Sequence, residues 1–285
     1  MDASPILLQI GRPSDGIWDL LNSAFISAFV SSLFGALAGA FAGAIGANYI
    51  AERSKDKEYL LSEIRNINVA ISATSTILNV FITSKDQHVK NLCEKYKKQH
   101  EEYDKLRKLS RSQLGSNTYE YTIHTDFQTL MPIKTHADFL NTLIFEKVDI
   151  TGRPLAMVTA LSQTVKTFND FVVERNNLID EFRNKNLPPK ELTMIYFGLD
   201  DGNGKIDQRY STVMTGIYEH CDDCIYFSYV LSKDLIDRGN QIRSLFKKRH
   251  HKSAPKIGSV NFSYLDQSGL LPNADNYSTW HQNSF

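Results

Sequence analysis

From Trp18 to Tyr49 the chain reads WDLLNSAFISAFVSSLFGALAGAFAGAIGANY, and past Asp19 no charge recurs until Glu52. That uncharged run of roughly 30 residues exceeds the ~20 a helix needs to cross the hydrocarbon core of a bilayer. Trp18 and Tyr49 bracket it, as interfacial anchors do. At ~1.5 Å rise per residue they lie roughly 46 Å apart, close to a bilayer with its headgroups. This stretch dictates a single transmembrane helix, and the rest of the chain follows from it.

Inside the span, Gly35, Gly39 and Gly43 recur every four residues, with Ala36, Ala40 and Ala44 beside them and Gly46 and Ala47 continuing the rows. Residues four apart share a helix face. A groove of Gly and Ala lets a second backbone approach closely, which is a main source of helix association in lipid. The pattern points to a self-associating helix, in a dimer or a larger ring. A span that merely happens to be rich in small residues is the alternative.

The flanks set orientation. Arg12 stands alone before the span, whereas Arg53, Lys55 and Lys57 follow it. The positive-inside tendency puts a short N-terminal tail outside and the C-terminal bulk in the cytoplasm of a cell (inner) membrane. The uncharged run is too long and too late for a cleaved signal peptide. Three unevenly spaced cysteines argue against a disulfide framework, and equal numbers of basic and acidic residues give no footprint for nucleic acid.

After the anchor the expected fold is mainly α, with long helices. The reading is a tail over 1–17, the transmembrane helix over 18–50, a helical stalk or hairpin over 51–112, and a mainly helical cytoplasmic domain over 113–285 whose aromatic tail packs on the helices. Leu60, Ile64, Ile67, Ile71, Thr74, Leu78 and Phe81 step by three and four along one helix face. Residues 66–84 are also uncharged, but Asn66, Asn68 and Asn79 make them a poor lipid-facing helix, so a second crossing is not the reading adopted. Ser84 with Gln87 resembles a capping box and predicts a fresh helix start. The following helix has interleaved charges and a solvated face. Strict alternation across TYEYTIHTDFQTL, with Tyr121, Ile123, Thr125 and Phe127 facing one way, predicts a minor β element near 119–130 that pairs with 146–150 or with another subunit. Helices are predicted near 135–145, 154–184, 188–199 and 208–252. Arg175 falls on the apolar seam of the second of these. There an arginine pairs with a buried acid, reaches across an interface or snorkels at the edge of the core, the last being the default.

Few residues suggest chemistry. His220, Cys221 and Cys224 hold metal-like spacing, but a zinc site needs four ligands, and cysteine packs well as a small apolar residue. Asp201, Asn203, Gly204 and Ile206 match the middle of a calcium loop, yet Leu199 and Tyr210 occupy its first and twelfth ligand positions. Lys247, Lys248, Arg249 and Lys252 close the last helix, where cations suit the dipole and can also touch anionic headgroups. There is no phosphate-cradling glycine loop, HExxH or nucleophile elbow, so no catalytic residue, metal or cofactor is assigned and an enzyme is not expected. The expected function is a membrane-anchored, self-associating protein, a pore-forming or membrane-perturbing effector of toxin-like or defence type controlled by its cytoplasmic helical domain. The alternative is a tethered interaction module that holds a cytoplasmic partner.

Overall fold

Uninterrupted helix-compatible sequence, with no proline between residue 15 and residue 112, gives an uninterrupted helical backbone over that whole span. The computed structural model describes residues 15–112, 121–200, 203–278 and 280, with side chains from residue 22 and not over 110–112. Helix α1 covers Asp15–Ser84, a π-helical turn covers Lys85–Val89, and α2 covers Lys90–Ser112. Then come α3 (Ala137–Lys147), α4 (Arg153–Asn184), α5 (Pro189–Phe197), α6 (Arg209–His250), α7 (Ser263–Ser268) and a 3-10 turn at Ala274–Tyr277. The chain divides into two units, Met1–Tyr59 and Leu60–Phe285.

The second unit is built on α4 and α6, with the C-terminal part of α1 laid beside them. Every member of the face from Leu60 to Phe81 read from the sequence is at most 3% exposed, so this segment is core of the folded unit. On α6, Val213, Ile217, Cys221, Cys224, Leu231, Leu235, Ile242 and Phe246 are buried as well, none more than 5% exposed. Each large apolar side chain taken from water contributes roughly 1.5–3 kcal/mol, which is why these seams align. Gly198 ends α5 in a left-handed conformation (φ 65°), and a Cβ there would meet the Ser211 hydroxyl oxygen at 2.6 Å. Both facts call for glycine.

Two local expectations are corrected. Ser84 makes no capping bond, and no new helix starts there. The chain instead absorbs a π-helical turn, which rotates Lys85 inward to 4% exposure. Lys85 meets Asp222 of α6 at 2.5 Å and donates to the Leu270 carbonyl at 2.9 Å. A buried ammonium is tolerable only with such partners.

The minor β element is absent: the described residues contain no strand, only an isolated bridge between Asp200 and Ile206. Tyr119 and Glu120 lie outside the described residues. From residue 121 to residue 133 the chain is an extended strap, and its alternation holds except at Asp126, which is half-buried like its two neighbours. Tyr121, Ile123, Thr125 and Phe127 are half-buried, while Thr122, His124 and Gln128 are exposed. What the strap lacks is a neighbouring strand. Its backbone is held by side chains of α4 instead. Asn176 donates to the Leu130 carbonyl (2.8 Å) and accepts its N–H (3.1 Å), and Asn169 does the same for Ile133 (2.9 and 2.7 Å). Each amide completes the donor–acceptor pair a β partner would supply.

Arg175 is likewise corrected. It does not snorkel at an edge and forms no ion pair within 4 Å among the described residues. It is fully buried and donates to the carbonyls of Gln128 (2.6 Å) and Asp126 (2.9 Å). In the C-terminal segment Leu265, Leu270 and Tyr277 are buried, while Tyr264 and Trp280 are exposed. Tyr277 stacks on Tyr226 with ring centroids 3.7 Å apart and donates to Asp223 at 2.8 Å.

Candidate functional site

The candidate site is the apolar part of α1. From Asn22 to Ile50 all side chains but one are exposed, including Phe25 (73%), Phe34 (67%), Phe41 (68%) and Ile45 (67%). The helix is long and apolar enough to cross a membrane, and none of its apolar window is buried in the chain itself. A core helix of a water-soluble protein would have these side chains covered. Trp18 lies within α1 with its side chain outside the described set, and Tyr49 is 61% exposed.

The glycines show what this face lacks. In the folded unit, glycines on helices have close neighbours. A Cβ on Gly216 would come within 2.7 Å of the Phe171 ring, and one on Gly239 within 3.1 Å of Ile257 and Ile67. There the missing side chain is the reason two elements can approach. At Gly35, Gly39, Gly43 and Gly46 an added Cβ would meet nothing within 4 Å. Ala36, Ala40 and Ala44 are exposed beside them. Among the described residues nothing packs against this row of small residues.

The remaining sequence candidates fall elsewhere. Cys221 and Cys224 are fully buried on the seam of α6, and the Cys221 thiol points at the Phe81 carbonyl (3.8 Å). Burial pushes both thiols above their ordinary range, and pushes Cys93 up to about 12. A metal ligand needs the thiolate, which this environment disfavours. His220 is turned away from them, stacked on Phe171 (5.4 Å between centroids) with Nδ1 3.3 Å from Asp223. Among the described residues no group of three His, Cys, Asp or Glu is placed to hold a metal ion. Asp201 lies outside the described residues. Asn203 and Gly204 sit in a turn closed by the Gly204 N–H to the Asp200 carboxylate (3.0 Å). Lys247, Lys248 and Arg249 are exposed on the last turn of α6, and Lys252 follows the helix end.

No family model, curated protein or solved structure matches this chain. Sequence reasoning did not single out Lys85, or the pair Asn169 and Asn176, which make buried or strap-holding contacts in the second unit. The seven-residue spacing of Asn169, Asn176 and Arg183 beside the apolar seam of α4 was the available signal. Arg183 too donates to the strap, at the Phe127 carbonyl (2.7 Å).

The second unit also has a half-open cleft of about 560 Å³ between α2 and α6, lined by Cys93, Tyr96, His100, Met214 and Tyr218 among others. Burial raises the Tyr96 phenol above its ordinary range, so it stays a neutral donor, bonded to the Tyr196 carbonyl at 3.0 Å. In the same cleft Cys93 points at the Met214 carbonyl (3.6 Å) and Ser211 donates to the Gln208 carbonyl (3.0 Å).

Proposed function

We propose that this protein is anchored in a membrane by one crossing of α1, over residues 18–50, and assembles with copies of itself through the face of Gly35, Ala36, Gly39, Ala40, Gly43 and Ala44. The helical second unit lies on the cytoplasmic side, following the basic flank of Arg53, Lys55 and Lys57. Several such helices gathered in one place make a membrane-perturbing effector, with the cytoplasmic unit controlling assembly. One observation carries the reading. Glycines that serve packing in the second unit have a neighbour in van der Waals range, whereas those of α1 are open. A tether alone needs no such face.

The test is the mass of the detergent-solubilised full-length protein beside that of the Gly39→Leu/Gly43→Leu variant. The expected result is an oligomer that falls to monomer in the variant, with ion flux across the host membrane falling in step. A monomeric wild type would refute self-association. The span would then be a tether, and a foreign single span in place of residues 20–51 should preserve function.

A further inference from the structure

Charge is balanced over the whole chain but not along it. Between Arg238 and Leu265 there is no Asp or Glu, while Arg238, Arg243, Lys247, Lys248, Arg249, Lys252 and Lys256 supply seven cations. Only the tertiary structure says where this run lies. Helix α6 runs antiparallel to the C-terminal part of α1. Asp222 meets Lys85, the Cys221 thiol meets the Phe81 carbonyl, and Gly239 lies against Ile67. Stepping along α6 toward its C-terminus therefore means stepping back along α1 toward Leu60. The segment after α6 is pinned at the same end, because Asn68 donates to the Lys256 carbonyl (3.0 Å) and accepts the Gly258 N–H (2.8 Å). The cationic turn is thus fixed at the end of the second unit where its first residue, Leu60, lies.

Two carboxylates of the second unit at this end are already engaged. Glu63 accepts the Asp149 N–H at 2.7 Å, and Asp149 accepts from Arg238 at 3.2 Å. Lys247, Lys248 and Lys252 are exposed and have no carboxylate within 4 Å among the described residues. Ten residues separate Ile50, where the apolar stretch closes, from Leu60. Even fully extended they span at most about 36 Å, so an anchored α1 tethers this end of the unit within that reach of the headgroups.

We infer that Lys247, Lys248, Arg249 and Lys252 dock the second unit onto anionic lipid headgroups of the membrane that holds α1. This rests on the single crossing proposed above and adds a lipid class to it. Charge complementarity selects the partner: clustered, exposed cations beside a membrane anchor bind acidic headgroups, each lysine or arginine adding roughly fivefold to the docked population. The attraction acts within a Debye length of about 8 Å, so salt weakens it.

The test uses the full chain in nanodiscs of phosphatidylcholine alone or with phosphatidylglycerol. A dye on the Ser253→Cys variant, with Cys93 replaced by Ser and the buried Cys221 and Cys224 left in place, is read against a quencher on the headgroups. The expected result is stronger quenching in the anionic discs, reversed by high salt. It should be lost in the variant Lys247→Gln/Lys248→Gln/Arg249→Gln/Lys252→Gln, whose docked-to-free ratio falls roughly 10²–10³-fold. Circular dichroism of that variant checks that it folds. Equal quenching in both lipids and both proteins, with the chain inserted in the discs, would overturn headgroup docking and leave the anchor intact. Failure of the chain to insert at all would overturn the anchor, and the docking with it. Quenching that is blocked by added RNA and unchanged by lipid charge would reassign the patch to nucleic acid and overturn the inference as well.

Discussion

The strap provides a quantitative test of how the second unit holds an unpaired extended segment. In Asn176→Ala, the Leu130 N–H loses its acceptor at 3.1 Å and the Leu130 carbonyl its donor at 2.8 Å. A hydrogen bond in a folded protein contributes a net ~0.5–1.5 kcal/mol, so losing both costs about 2 kcal/mol. Since ~1.4 kcal/mol is a factor of ten, the Leu130 amide should exchange with deuterium about 30-fold faster. Asn176→Asp separates the two bonds. The carboxylate still accepts the N–H but faces the Leu130 carbonyl with no donor, so at neutral pH it should open the strap more than alanine does. Protonating it in acid restores an O–H donor and narrows the gap. Hydrogen exchange of the full-length protein in detergent reads residues 127–133, with α6 as internal control. If Leu130 exchanges within twofold of wild type in Asn176→Ala, the amide clamp is not what holds the strap. Apolar contacts, such as Phe127 against Phe182 (6.0 Å between centroids), would then carry it.

Two further outcomes are expected. Cys221 and Cys224 should resist a thiol reagent at pH 8 in the folded protein, since burial both shields them and disfavours the thiolate, and should react fully in guanidinium; prompt native labelling would mean that α6 opens readily. Glu181 is held down to about 2, first by hydrogen bonding to Arg209 and then to Lys185. A carboxylate lowered from 4.5 in this way stabilises the fold above pH 4.5, and that contribution is lost as the pH falls toward 2. Urea denaturation across this window should show Arg209→Gln less stable than wild type at pH 6, with the two converging near pH 2. A constant difference at all pH values would rule the pair out as the cause.

Most of the helical architecture was legible because helical periodicity is local. The seams at Leu60–Phe81, on α4 and on α6 repeat at the step of a helix, and a repeat of that kind already marks which side must leave water. The absence of charge from residue 20 to residue 51 is local in the same sense. So is the Gly and Ala pattern of the candidate site, visible letter by letter before any coordinates.

Only the tertiary structure decided who partners whom. Alternation from Tyr121 to Phe127 correctly marks an extended, half-buried segment, but it cannot tell a neighbouring strand from the amides of Asn169 and Asn176, because either satisfies the same backbone groups. Arg175 sits on an apolar seam by sequence, and its two carbonyl partners lie 47 and 49 residues away. Lys85 reads as a surface cation until a π-helical turn rotates it toward Asp222. The basic run after Asp237 carries its charge in the sequence, yet its position beside Leu60 follows from the antiparallel packing of α6 on α1. Local sequence sets the conformations a segment can adopt and the face it must bury. Long-range packing chooses among the partners that satisfy the same donors, acceptors and charges.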